Sequence, residues 1–122
     1  MKKLLAVAAI GEAATGLILV AYPPIVVRLL FGAEIAGAGV VMSRIAGIAL
    51  IGLGVACWPG NSVLEPLNGM LAYSTLAMLY FVVVGIRGEG VGLLLWPGVV
   101  VHAILSVLLG GAWLKQRKSP AT

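Results

Sequence analysis

The sequence predicts an all-α integral membrane protein, a four-helix bundle with short loops and both termini cytoplasmic. Three observations carry this expectation. Of the 122 residues, 61% are hydrophobic and 10% are charged, whereas soluble domains run at roughly 45–50% apolar and about 25% charged. Four apolar stretches each approach the ~20 helical residues needed to cross a hydrocarbon core of about 30 Å. The basic residues gather at the two chain ends, as membrane topology signals do. A water-soluble domain of this length could not hide so much apolar surface. The length fits one domain, residues 1–122.

The first span is expected over about 3–22. It opens like a secretory signal, with Lys2 and Lys3 before Leu4, Leu5, Ala6 and Val7, but Glu12 interrupts the apolar run before it resumes through Val20. Pro23 and Pro24 stop it, because proline cannot continue a helix. Residues 25–32 are too short to span and are expected to lie along the outer interface as a short helix, with Arg28 reaching the headgroups. The second span is expected over about 35–58, ending at Trp58, Pro59 and Gly60. The third covers about 67–86, opening after Pro66 and closing around Arg87. The fourth covers about 91–114 and ends in Lys115, Arg117 and Lys118. Pro97 lies inside that fourth span, where it is expected to kink the helix and free a carbonyl. Barrel strands of about ten alternating residues do not match such long unbroken runs.

An even number of spans puts both ends on one side. Lys2, Lys3, Lys115, Arg117 and Lys118 make five basic residues there, against Arg28 and Arg87 in the opposite turns. The positive-inside bias makes the ends cytoplasmic. Trp58 and Trp113 then fall at the inner interface and Tyr22 at the outer one. Both outer turns carry an arginine followed by a glutamate, Arg28 with Glu34 and Arg87 with Glu89.

The chemistry concentrates in three ionisable residues within the spans: Glu12, Arg44 and His102. Counted from the span ends at ~1.5 Å per residue, Glu12 and Arg44 lie roughly 13 Å deep and His102 roughly 16 Å, near one plane. An isolated charge there costs about 2.5 kcal/mol or more. Glu12 and Arg44 are therefore expected to pair, with His102 adjacent and the Tyr73 hydroxyl reaching them from the third span. Small residues surround each: Ala8, Ala9, Thr15 and Gly16; Gly39, Ser43 and Gly47; Gly98 and Ser106. They let helix backbones approach closely. Such a cluster either fixes helix register alone or forms the polar floor of an intrabundle pocket.

Other chemistries lack their residues. The single cysteine, Cys57, allows no intrachain disulfide or thiolate cage, and one histidine makes neither a zinc site nor a two-sided haem site. No aspartate, phosphate loop or HExxH motif occurs. Ser106, on the same helix as His102, is poorly placed as a nucleophile. No metal, cofactor or catalytic residue is expected, and the net charge of +4 reads as topology, with no nucleic-acid partner.

Two stretches, Gly11-Glu12 to Gly16-Leu17 and Arg44-Ile45-Ala46-Gly47 through Gly54, resemble the DoxX-like group of small four-helix bacterial membrane proteins. That resemblance implies architecture, and for some members a link to respiratory or redox complexes. Gly11-Glu12-Ala13-Ala14-Thr15-Gly16 is also similar to the first span of the small multidrug resistance family, where such a glutamate binds protons and cationic substrates in a dimer. Only Glu12 carries over, and Arg44 and His102 depart from that pattern. The leading expectation is a non-enzymatic accessory or lipophilic-ligand-binding protein. Its expected partners are membrane lipids together with a lipophilic small molecule or a larger membrane complex. The alternatives are a dimeric proton-coupled exporter using Glu12 and a structural subunit of a larger complex.

Overall fold

A computed structural model describes residues 2–88 and 91–118. The chain forms five helices: α1 Lys2–Ala21, α2 Pro23–Phe31, α3 Ala38–Ala56, α4 Leu64–Arg87 and α5 Leu95–Arg117. All but α2 are long and apolar enough to cross a membrane. Their outward faces are apolar as well: Ile86 is 76% exposed and Val107 75%. Such a surface suits lipid as the surrounding solvent.

Local chemistry sets the breaks. Tyr22 alone separates α1 from α2, whose first residues are Pro23 and Pro24. Proline fits there because the first helical N–H has no intrahelical partner anyway. α2 ends at Gly32, which takes φ 65° and donates its N–H to the Arg28 carbonyl, a left-handed cap that glycine adopts without steric cost. The short helix expected over 25–32 is thus present. Its Arg28 is held by Glu34 at 3.0 Å, and this neighbour keeps the guanidinium above its ordinary pKa. Glu89, the acid of the second Arg–Glu turn, lies outside the described residues.

Three span starts differ from expectation. α4 begins at Leu64 rather than near 67, with Pro66 inside its first turn, where its missing N–H breaks no intrahelical bond. α3 begins at Ala38 rather than near 35, because Gly37 adopts φ 54° and breaks the helical path before it. α5 begins at Leu95, so Pro97 falls in its first turn. There its missing N–H breaks no intrahelical bond. The expected kink and freed carbonyl do not follow.

The helices associate as two close pairs, α1 with α3 and α4 with α5, with far fewer contacts between the pairs. Small residues bring α1 and α3 together. A Cβ at Gly47 would fall 2.6 Å from the Gly16 carbonyl oxygen, and one at Gly54 would fall 2.7 Å from the Ala9 carbonyl oxygen. These contacts recur seven residues apart on antiparallel helices, so they fix the register as well as the distance. In the other pair, Gly85 admits the Trp96 ring, and the Thr75 hydroxyl donates to Ser106 Oγ at 3.3 Å.

Both ends of the bundle are closed. At one end Leu5, Ala8 and Ala9 of α1, Cys57 beyond α3, Leu67 and Met70 of α4, and Leu109 of α5 form one buried cluster. The start of α1 and the end of α5 therefore share this end. At the other end α2 is stitched to the segment before α5, where Gly92 N–H donates to the Leu30 carbonyl at 2.9 Å and Leu94 N–H to the Leu29 carbonyl at 2.7 Å. These bonds satisfy carbonyls that the end of α2 leaves without partners.

Replacing Gly47 with leucine is expected to force α1 from α3 at a cost of about 1–3 kcal/mol. Gly52→Ala, whose added Cβ meets nothing within 4 Å, leaves stability unchanged. Thermal unfolding of the two variants in mild detergent separates them, and equal melting temperatures would contradict the packing described.

Candidate functional site

One turn above the apolar cluster the interior becomes polar. Glu12 lies on the buried stripe of α1 that includes Leu5, Ala8, Ala9, Gly16 and Leu19. This stripe faces the core because the small residues at 9, 13 and 16 pack on α3. Across the seam between the helix pairs stands His102 of α5, with Nε2 3.4 Å from Glu12 Oε1. Both side chains are nearly buried, at 14% and 10% exposed.

The imidazole is oriented by its own helix. His102 Nδ1 lies 2.8 Å from the Gly98 carbonyl, one turn back. A carbonyl only accepts, so Nδ1 carries a proton and donates it. Nε2 is then either a bare lone pair or a second N–H. Facing a carboxylate oxygen, a bare lone pair would set two acceptors against each other. The contact is favourable only when the pair holds a proton, as carboxylic acid to imidazole or as carboxylate to imidazolium. At 3.4 Å the contact does not close a hydrogen bond, and Nε2 remains a buried polar atom without a partner.

The α4 helix supplies the walls. Tyr73 turns its hydroxyl toward the Glu12 carboxyl and sets its ring edge-on to His102, with centroids 6.1 Å apart. Phe81 does the same from the other side at 5.7 Å, and Phe31 of α2 meets Phe81 at 6.0 Å. An edge-to-face row thus runs from Tyr73 through His102 and Phe81 to the end of α2. Such contacts hold ring orientation beyond simple burial. Ser74, fully buried on the α4 stripe that carries Leu67 and Met70 toward α1, also has an Oγ with no hydrogen-bond partner.

Of the four residues expected to cluster, the structure brings together Glu12, His102 and Tyr73. Arg44 is elsewhere, so the expected Glu12–Arg44 pair is corrected. Arg44 is exposed, and its Nε donates to the Val20 carbonyl at 3.2 Å, eight residues beyond Glu12 on α1, or about 12 Å along the axis. Two causes combine. The Gly16–Gly47 contact sets Arg44 opposite the end of α1, and the late start of α3 leaves Arg44 six residues from that helix's first residue, about 9 Å along the axis. Phe81 was missed by residue type. It continues the Gly69, Tyr73 and Ala77 row at four-residue spacing, and that spacing was the signal available.

An open groove on the α4–α5 pair, lined by Asn68, Leu71, Thr75 and Trp113 among others, lies away from Glu12. Among the described residues, no group of three or more His, Cys, Asp or Glu side chains could hold a metal. Comparison with known family models, curated proteins and solved structures finds no match. Function is therefore read from the residues themselves.

Two outcomes follow for stability. Because Glu12 and Arg44 do not touch, Glu12→Ala and Arg44→Ala should add to within about 0.5 kcal/mol. Glu12→Ala and His102→Ala should couple by on the order of 0.5–3 kcal/mol, since the two side chains face each other at 3.4 Å in a nearly buried site. Double-mutant cycles on unfolding in detergent measure both, and coupling to Arg44 in place of His102 would overturn the geometry.

Proposed function

We propose that this chain is a non-enzymatic multi-pass protein of a bacterial inner membrane, with both termini cytoplasmic, that binds a lipophilic molecule bearing a hydrogen-bonding head group. The head group enters the seam between the helix pairs at Glu12, Tyr73 and His102. One observation carries this reading: His102 Nε2 and Ser74 Oγ are buried without hydrogen-bond partners, although buried polar groups are almost always satisfied. A carbonyl or hydroxyl on an apolar body, as in a quinone or a lipid, would supply the missing partner. The rings of Tyr73 and Phe81 would take part of that body. Five basic residues at the chain ends support the orientation.

The placement of Arg44 favours a second reading. A guanidinium beside Glu12 would neutralise the carboxylate and repel cations, which argues against a proton-coupled exporter. With Arg44 at the end of α1, that objection falls away. Glu12 and His102 would then exchange their proton for a cationic substrate in a dimer.

Native mass spectrometry of gently extracted protein tests the first reading. The wild type is expected to carry a lipophilic small molecule that His102→Ala retains about tenfold less, the loss of roughly one hydrogen bond. Equal retention in both, or a stoichiometric partner subunit with no small molecule, would contradict it; the latter result points to a structural subunit. For the exporter, proteoliposomes should move organic cations in a way that Glu12→Gln abolishes, and flat traces over a panel of cations would exclude it.

A further inference from the structure

A second place on the molecule asks for a ligand, and it is independent of the seam. Arg44 is exposed on an apolar helix. One of its donors, Nε, is used on the Val20 carbonyl at 3.2 Å, one of the last α1 carbonyls that the helix end leaves without an intrahelical acceptor role. Among the described residues nothing meets the two remaining nitrogens of the guanidinium. The nearby cation at this end, Arg28, already has Glu34 at 3.0 Å.

The direction of the side chain decides what can reach it. Helical side chains tilt toward the helix N-terminus. For α3 that is the end where α2 lies, so Arg44 points out of the hydrocarbon toward the interface. Its bond to Val20 already brings it level with the close of α1 at Ala21. A guanidinium at this height stands where phosphate groups of lipids stand, and its planar fork matches phosphate oxygens in pairs.

The surface below it is shaped for an acyl chain. Ile45, Ile48, Gly52 and Val55 are all exposed on one face of α3 and run from Arg44 along the length of the helix. The row spans ten helical steps, about 15 Å, and Gly52 opens a dent in it, with nothing within 4 Å of its missing Cβ.

We propose that Arg44 holds the phosphate of an anionic phospholipid at the α2 end of the α1–α3 pair, with an acyl chain along Ile45, Ile48, Gly52 and Val55. The Val20 carbonyl fixes the guanidinium through Nε, and the two free nitrogens take the phosphate.

Titration of the full chain in mild detergent with phosphatidylglycerol and phosphatidylcholine of equal chain length, read by native mass spectrometry, tests this. The wild type is expected to bind one phosphatidylglycerol in preference to phosphatidylcholine. Arg44→Gln should weaken that first site about tenfold, as loss of a charge-assisted contact does. Lys115→Gln, Arg117→Gln and Lys118→Gln combined should leave it intact. Gly52→Leu keeps the test open should R44Q not fold: it fills the acyl row and is expected to weaken lipid binding with Arg44 in place. An R44Q protein that binds as the wild type does, or a preference lost only in the triple variant, would overturn the proposal. So would displacement of the lipid by inorganic phosphate, which would make this a free-anion site. A wild-type dimer that R44Q splits, with lipid binding unchanged, would assign Arg44 to a second copy of the chain.

Discussion

A carboxyl group placed halfway along an apolar helix can neither reach water nor stand alone, and the arrangement of this protein follows from how Glu12 is met. It is met from another helix pair. α1 and α3 are locked together by glycine and alanine contacts that turn the Glu12 face away from α3. Only α4 and α5 remain to supply a partner, and they supply His102, Tyr73 and the buried Ser74. The apolar cluster at the terminal end and the stitched α2 at the other hold the two pairs against each other where few contacts join them directly. The polar group at mid-height is thus also the place where the pairs recognise one another.

The two ionisable sites differ in kind because of where the backbone leaves them. Glu12 and His102 are short side chains in the interior, so they face each other across the seam at 3.4 Å. Arg44 is long, lies near a helix start and meets the Val20 carbonyl close to the end of α1. Charges on long apolar helices are tolerated by both routes.

Much of this was legible in the sequence. Run length and composition are coarse quantities, and they sufficed for four long helices and the short helix between the first two. Glu12, His102 and Tyr73 were legible because polar atoms in hydrocarbon must find partners, whatever the details of packing. What failed depended on single-residue detail. The expected position of Arg44 rested on where α3 starts, and Gly37 moved that start to Ala38, six residues before Arg44. Pro97 lost its kink by the same kind of shift. Phe81 carries no polar atom, so nothing about its type separated it from the other apolar residues of α4 until its ring was seen against His102.

The central claim is that Glu12 and His102 face each other across the seam at 3.4 Å, with Nδ1 committed to the Gly98 carbonyl. The chain has a single histidine, so nitrogen-15 magnetic resonance of histidine-labelled protein in bilayers reports this ring alone. The account predicts a protonated Nδ1 and an Nε2 signal that moves when Glu12 is replaced by glutamine. A bare Nδ1, or an Nε2 signal indifferent to residue 12, would contradict it.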